Sequence, residues 1–156
     1  MKRTNIAILP CTNALWHEFW SGYVADPMMS NIEHIYGYDI CEKIYWDKMA
    51  DVTRRYFLIV CDEKVIGYIY LKHIDLDKKS SEFGVALIDD SVKGKGYGTE
   101  AIKLLVEYAF DEMGLETIVA SSVLRNTRSQ HVLANLGFVY THSDCKFMWY
   151  KLEREM

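Results

Sequence analysis

The chain has 156 residues, half of them hydrophobic and 26% charged, with 18 Lys and Arg against 22 Asp and Glu for a net charge of -4. This excludes global disorder, which needs low hydrophobicity with high net charge; two prolines and nine glycines exclude collagen-like and proline-rich classes. The acidic excess argues against a bulk nucleic-acid binder, which needs a basic face able to displace counterions from phosphate.

The longest apolar runs, such as Tyr56–Cys61 and Val65–Leu71, fall far short of the roughly 20 residues of a membrane-spanning helix. Met1-Lys2-Arg3 is followed only by Ile6–Leu9 before polar Thr12-Asn13, so no signal-peptide core is expected. Cys11, Cys41, Cys61 and Cys145 are scattered, with no Cys-x-x-Cys pair and no His at zinc-ligand spacing. They read as reduced thiols in a cytoplasmic protein without a metal site. No linker, repeat or low-complexity tract interrupts residues 1–156, which read as one domain.

In chain order, Asn5–Leu9 is a short strand. Thr12 or Asn13 can cap a helix that carries Leu15, Trp16, Phe19, Trp20 and Tyr23 on one face, and Asp26-Pro27 ends it. Asp39 opens a second amphipathic helix with Ile40, Ile44 and Met49. Arg55–Cys61 and Val65–His73 form a hairpin across Asp62-Glu63-Lys64, and Ser81–Ile88 follows as a third strand. Asp89–Gly98 is a glycine-rich loop, Thr99–Met113 a helix closed by Gly114, and Thr117–Val123 a strand. Asn126–Leu136 is a helix closed by Gly137; Phe138–Thr141 and Lys146–Leu152 are closing strands. The order predicts an α+β (mixed α/β) fold, an antiparallel meander with one strand–helix–strand crossover.

The loop is the most informative segment. It leaves a strand, turns through Gly94, Gly96 and Gly98, and enters a helix. Glycines let backbone N–H groups approach a ligand, and a helix N-terminus adds unpaired N–H groups and partial positive charge. Together they suit a phosphate or pyrophosphate, with Lys93 and Lys95 adding charge. A Walker loop needs Ser or Thr after Gly94-Lys95, where Gly96 stands; a dinucleotide fingerprint needs its third glycine one residue later than Gly98.

Lys93-Gly94-Lys95-Gly96-Tyr97-Gly98 resembles the acetyl-coenzyme A loop of the GNAT N-acetyltransferase superfamily, Arg/Gln-x-x-Gly-x-Gly/Ala, with Lys93 at the Arg/Gln position. Asn126-Thr127-Arg128-Ser129, Leu133 and Leu136-Gly137-Phe138 are similar to the family's second cofactor motif, one helix and one strand further on. The resemblance covers residues 55–152 well, and the N-terminal part in order and size. It implies a mostly antiparallel twisted sheet of six to seven strands with helices on both faces. Two parallel strands should splay at the site of acetyl-CoA, the co-substrate. It further implies that backbone groups of Ala86, Leu87 and Ile88 meet the pantetheine arm, that Lys93, Gly94, Lys95, Gly96, Tyr97, Gly98 and Thr99 cradle the pyrophosphate, and that Asn126 and Ser129 lie near the thioester. The acceptor would be a primary amine, a protein N-terminus or a small molecule, attacking directly in a ternary complex; a homodimer is left open.

Acetyl transfer to an amine needs a base for the amine proton, a donor for the developing oxyanion, and help for the departing thiolate. Glu82, on the strand leading to the loop, matches the family's frequent base. Many members carry a Tyr acid where Leu133 stands, so this chain departs from the pattern. It is nearer the Rim-type ribosomal-protein N-terminal acetyltransferases, with Asn-x-x-Ser and a serine matching Ser129 at the thiolate. Ser129 could also be a helix cap. Tyr140 and Tyr150 are fallback acids. The missing Tyr keeps a second reading open, a non-catalytic acyl-CoA-binding or regulatory module. The aromatic set Trp16, Trp20, Tyr23, Tyr36, Tyr38, Tyr45 and Trp46 is expected mostly in the core, in part on the acceptor wall. Asp26, Glu33, Asp39 and Glu42 lie in the same region. His142 with Cys145 reads as a turn.

Overall fold

The structure, a computed structural model, describes residues 2–3, 5–28 and 34–155. The strands are β1 (Lys2–Arg3), β2 (Ile6–Pro10), β3 (Arg55–Cys61), β4 (Lys64–Asp75), β5 (Ser80–Leu87), β6 (Thr117–Val123), β7 (Val139–Ser143) and β8 (Phe147–Glu153). They make one sheet in the order β1-β2-β3-β4-β5-β6-β8-β7, antiparallel throughout except for the parallel pair β5–β6. Two-residue β1 is the strand beyond the expected six to seven. The helices are α1 (Asn13–Gly22), α2 (Tyr38–Ala50), α3 (Tyr97–Glu107) and α4 (Thr127–Asn135).

Strand β3 shows why its apolar run is unbroken. Phe57, Ile59 and Cys61 join the core beneath α3, with Ala101, Ile102, Leu104 and Leu105. Tyr56 and Leu58 face the other way, against Trp16 and Phe19 of α1 and Tyr45 of α2. Alternation thus sends side chains into two cores, and helices cover both faces. Thr12 caps α1, its Oγ1 accepting from the Leu15 N–H at 3.2 Å.

Two boundaries differ from expectation. Helix α3 starts at Tyr97 because Gly96, at φ +81°, turns the chain directly into it. It stops at Glu107, and Tyr108–Glu112 widen into a π turn with Met113 N–H on the Tyr108 carbonyl at 3.2 Å. Leu115 N–H then reaches the Ala109 carbonyl at 3.0 Å across Gly114, at φ +71°. Apolar spacing over one turn does not separate the two helical pitches.

On the α1/α2 face, Tyr68 and Tyr70 of β4 stand opposite Ala86 and Gly84 of β5. The Tyr70 ring stacks on Tyr56 (4.9 Å between centroids) and Tyr68 (5.6 Å) and lies over Gly84, so a Cβ there would overlap it. Gly84→Ala is expected to push Tyr70 from its stack and cost about 1–3 kcal/mol, the range for overpacking a filled site. A lower urea midpoint with changed aromatic circular dichroism checks this; an unchanged midpoint would show that the ring has room to yield.

Candidate active site

Strands β5 and β6 pair only at Ser80↔Thr117, Ser81↔Ile118 and Glu82↔Val119. Beyond Glu82, β5 runs on along β4 to Leu87, and β6 along β8 to Val123. The two parallel neighbours therefore diverge, and a cleft of about 810 Å³ opens between them, the size of a typical ligand pocket.

The glycine loop forms one end of the cleft. Asp89 Oδ1 accepts from the Ser91 N–H at 2.9 Å, setting a short 3-10 turn over Asp90–Val92. Gly94 and Gly96 follow at φ +74° and +81°, a region glycine enters without penalty. The first backbone bond of α3 runs from Glu100 N–H to the Gly96 carbonyl at 3.0 Å, which leaves the N–H groups of Tyr97, Gly98 and Thr99 without intrahelical acceptors. Gly94, Gly96, Tyr97, Gly98 and Thr99 all line the cleft, as do Ala86 and Leu87. Ile88 does not line it: its N–H donates to the Ile66 carbonyl and its carbonyl accepts from Val24 N–H, both at 2.8 Å, so neither backbone group is open to a ligand. Lys95 is exposed and lies off the lining.

Lys93 is not the solvated loop cation that its neighbours suggest. Its side chain is 15% exposed, and its Nζ lies 3.0 Å from both Asp26 Oδ2 and Asp90 Oδ1. Burial pulls the ammonium pKa down, but hydrogen bonds and charge from Asp26 and Asp90 outweigh it and the net direction is up. Burial likewise raises Asp26, and the Met28 N–H and Lys93 outweigh it, so its carboxyl sits below 3.8. Asp26 belongs to a segment that bridges the cleft mouth: Val24 N–H bonds Ile88, and Arg125 Nη2 donates to the Pro27 carbonyl at 2.8 Å. Lys93→Ala is expected to cost about 1 kcal/mol at pH 7. Because Asp26 is depressed in the folded state, its contribution is complete above about pH 4 and is lost as pH falls through the folded value. Urea unfolding of both proteins at pH 7 and at a pH low enough to protonate the folded Asp26 checks this; a difference that persists there would contradict it.

Glu82, 12% exposed at its side chain, lines the cleft where the strands part. Its Oε2 is 3.4 Å from Lys72 Nζ and its Oε1 3.4 Å from His73 Nδ1. Lys72 and Tyr70 share this wall; burial first, then the Glu82 charge, push the Tyr70 hydroxyl pKa up. Tyr70 had no mark in the sequence beyond its strand alternation with Tyr68.

Asn126, Ser129 and Leu133 also line the cleft. Asn126 is the cap of α4: its Oδ1 accepts from the Ser129 N–H at 3.1 Å, so Ser129 is the capped residue rather than the capping one. Leu133 is 3% exposed in the core beneath α3. Tyr140 and Tyr150 lie outside the lining, the first bonded to Ser143 and the second buried against it in an edge-on pair at 5.9 Å. Arg128, quoted with the second motif but given no role there, lines the cleft with its Nη2 beside Gly94.

Of the aromatic set, Trp16 and Tyr45 are buried, Tyr38 and Trp46 are exposed, and none lines the cleft. Glu42 is taken by Asn13 Nδ2 (2.5 Å) and His17 Nε2 (3.0 Å) of α1. Asp39 sits in the first turn of α2, and Glu33 lies outside the described residues. His142 stacks on Trp149, and Cys145 is exposed in the adjoining turn. Among the described residues no cluster of three His, Cys, Asp or Glu could hold a metal, and no helix is long and apolar enough to cross a membrane.

The acetyltransferase (GNAT) domain family matches residues 13–139. The chain belongs to that family, and the loop and splayed strands fall within the matched span. A probable N-acetyltransferase, YjcK of Bacillus subtilis (strain 168), is 38% identical over 77 residues, 49% of this chain and 42% of that one. A spermidine N(1)-acetyltransferase of Escherichia coli (strain K12) is 28% identical over 95 residues, 61% of this chain and 50% of that one. The matches thus span about half the length of these curated relatives, and they do not single out the Rim-type group. The spermidine N-acetyltransferase of Vibrio cholerae, solved with CoA and spermine, superposes with a TM-score of 0.85 at 19% identity, over 97% of this chain and 96% of that one. The fold is that of the family.

Proposed function

We propose that the chain binds acetyl-CoA and transfers its acetyl group to a primary amine that attacks directly in a ternary complex. The splay of β5 from β6 beside an amide-lined loop is the observation that carries this reading. Beyond Glu82, β5 has no strand partner on its β6 side among the described residues, so the amide-bearing pantetheine arm can pair with it as a strand would. Leu87 offers its backbone there, whereas Ala86, two residues before Ile88 in the same register, turns its N–H and C=O to Tyr68 of β4. The pyrophosphate suits the amides from Gly94 to Thr99, with Arg128 adding positive charge. Acetyl-CoA supplies the activated thioester.

The chain's own groups supply the rest. Glu82 is assigned as the base that takes the amine proton, directly or through a water, and its position in the cleft lining at the fork of the strands supports this. Ser129, which lines the cleft on the first turn of α4, is assigned as the donor to the departing thiolate, since Leu133 one turn on has no hydroxyl. The names of the relatives favour a small amine over a protein N-terminus. Release of free thiol from acetyl-CoA with a panel of amines tests the reading. Turnover with at least one amine is expected; tight acetyl-CoA binding without any turnover would leave a non-catalytic acyl-CoA-binding module.

A further inference from the structure

Acetyl transfer needs a donor for the oxygen on which negative charge develops, and Glu82 and Ser129 leave that part unfilled. The register of β4 and β5 brings one side chain to it. Tyr68, Tyr70 and Lys72 stand opposite Ala86, Gly84 and Glu82. Pairing of β5 with β6 ends at Glu82↔Val119, so Gly84 lies just past the point where the strands part. A Cβ built on Gly84 would fall on the Tyr70 hydroxyl and on the ring carbon that bears it. The glycine is thus the slot through which the Tyr70 hydroxyl reaches over β5, and both residues line the cleft. Glu82 and Gly84 share one face of β5 two residues apart, which sets the slot about 7 Å along the strand from the Glu82 Cα.

Packing fixes the hydroxyl there. The Tyr70 ring stacks on Tyr56 and Tyr68 at interplanar angles of 17° and 16°. The three tyrosines are not equivalent. The Tyr56 hydroxyl accepts from Arg54 Nη1 at 2.9 Å, and only Tyr70 of the three lines the cleft. Burial, and after it the Glu82 charge, hold the Tyr70 pKa above its usual value, so the group stays a donor from neutral into alkaline pH.

We propose that the Tyr70 hydroxyl donates to the thioester oxygen of acetyl-CoA and holds the negative charge that gathers there as the amine attacks. The inference rests on the acetyl-transfer reading and adds a catalytic residue to it. As the C–N bond forms, the carbonyl electron pair moves onto the oxygen facing Tyr70, and the amine proton passes to Glu82. The pair then returns, the C–S bond breaks and the thiolate leaves toward Ser129. Glu82 releases its proton to solvent, from which the thiolate takes one. Tyr70 keeps its proton throughout and acts as a fixed dipole, which is effective because it needs no reorganisation at the moment of reaction.

Two readouts test this on the full chain. The first is the infrared C=O stretch of bound acetyl-CoA labelled with carbon-13 at the carbonyl, which a hydrogen bond to the oxygen lowers. The band is expected at higher wavenumber in Tyr70→Phe than in the wild type. The second is thiol release with the best amine of the panel. Tyr70→Phe should lower kcat and kcat/KM alike by about 100-fold, as for the loss of one oxyanion donor. The defect should be the same at neutral and alkaline pH. Phe keeps the ring and its stack, so the variant should fold. Tyr68→Phe, which removes a hydroxyl from the same stack but outside the lining, should leave both readouts near the wild type. An unmoved band in Tyr70→Phe, or a raised amine KM at wild-type kcat, would overturn the inference while the acetyl-transfer reading stands. Equal losses in Tyr68→Phe would also overturn it, by tracing the effect to the stack. A band that moves with Tyr70 in a protein that releases no thiol with any amine would uphold the hydroxyl at the carbonyl and sink the transfer reading. No binding of acetyl-CoA would sink both.

Discussion

Glu82→Gln is expected to lower kcat by about 10–1,000-fold near pH 7, the range for losing a general base. An alkyl amine is mostly protonated at that pH and must lose a proton before it attacks. The defect should therefore shrink as pH rises and more amine arrives neutral. Acetyl-CoA affinity should change little, since Glu82 lies at the fork of the strands and the loop amides lie at the other end of the cleft. Gln keeps an oxygen for Lys72 and His73, which makes it a gentler change than Ala. Ser129→Ala should behave differently: a thiolate needs its donor at every pH, so its defect should persist in alkali. A pH–rate profile of both variants with one good amine decides. Wild-type rates in Glu82→Gln at every pH would return Glu82 to a structural role, holding Lys72 and His73.

Gly96→Glu is expected to raise the dissociation constant for acetyl-CoA by about 100-fold or more. A Cβ at Gly96 meets nothing within 4 Å, so the fold should survive. The cost lies in the backbone, because φ is +81° and a side chain there costs about 1–2 kcal/mol. The carboxylate then adds like charge beside the proposed pyrophosphate seat and the positive end of α3. Gly96→Ala, which carries the strain without the charge, should cost about tenfold. Calorimetric titration with acetyl-CoA checks both, and equal losses from Ala and Glu would show that charge plays no part. Lys93→Ala is the instructive contrast, because it removes a pair that ties the loop to Asp26.

Much of this was legible in the chain. Arg55–Cys61 and Thr117–Val123 fall where β-branched and aromatic residues give way to polar ones, and the strands take those bounds. The glycine loop announced itself because left-handed turns at 94 and 96 need glycine. What stayed hidden depends on distance in sequence. The Lys93–Asp26 pair joins residues 67 apart, and nothing local distinguishes Lys93 from solvated Lys95. Ile88 continues the apolar pattern of its strand, but its backbone is taken by Val24 and Ile66, which no pattern records. Tyr70 sat in a β-forming run until the register set it over Gly84 and beside Glu82. Arg128 was visible, but only the placement of α4 against the loop turns it to the cleft.

The parting of β5 and β6 also has a mechanical meaning. The sheet is in effect two panels, β1–β5 and β6–β8, stitched by three residue pairs near one end and by the packing of α3 and α4. A seam held at one end is the natural line of sub-global opening, with a free energy below that of whole-molecule unfolding. A molecule that lies along the seam and bonds to it laces the panels together, and by linkage stabilises the closed form by RT ln(1 + [L]/Kd). Acetyl-CoA bound along the seam as proposed would therefore stiffen the whole domain, and slower amide exchange across both panels on its addition checks this.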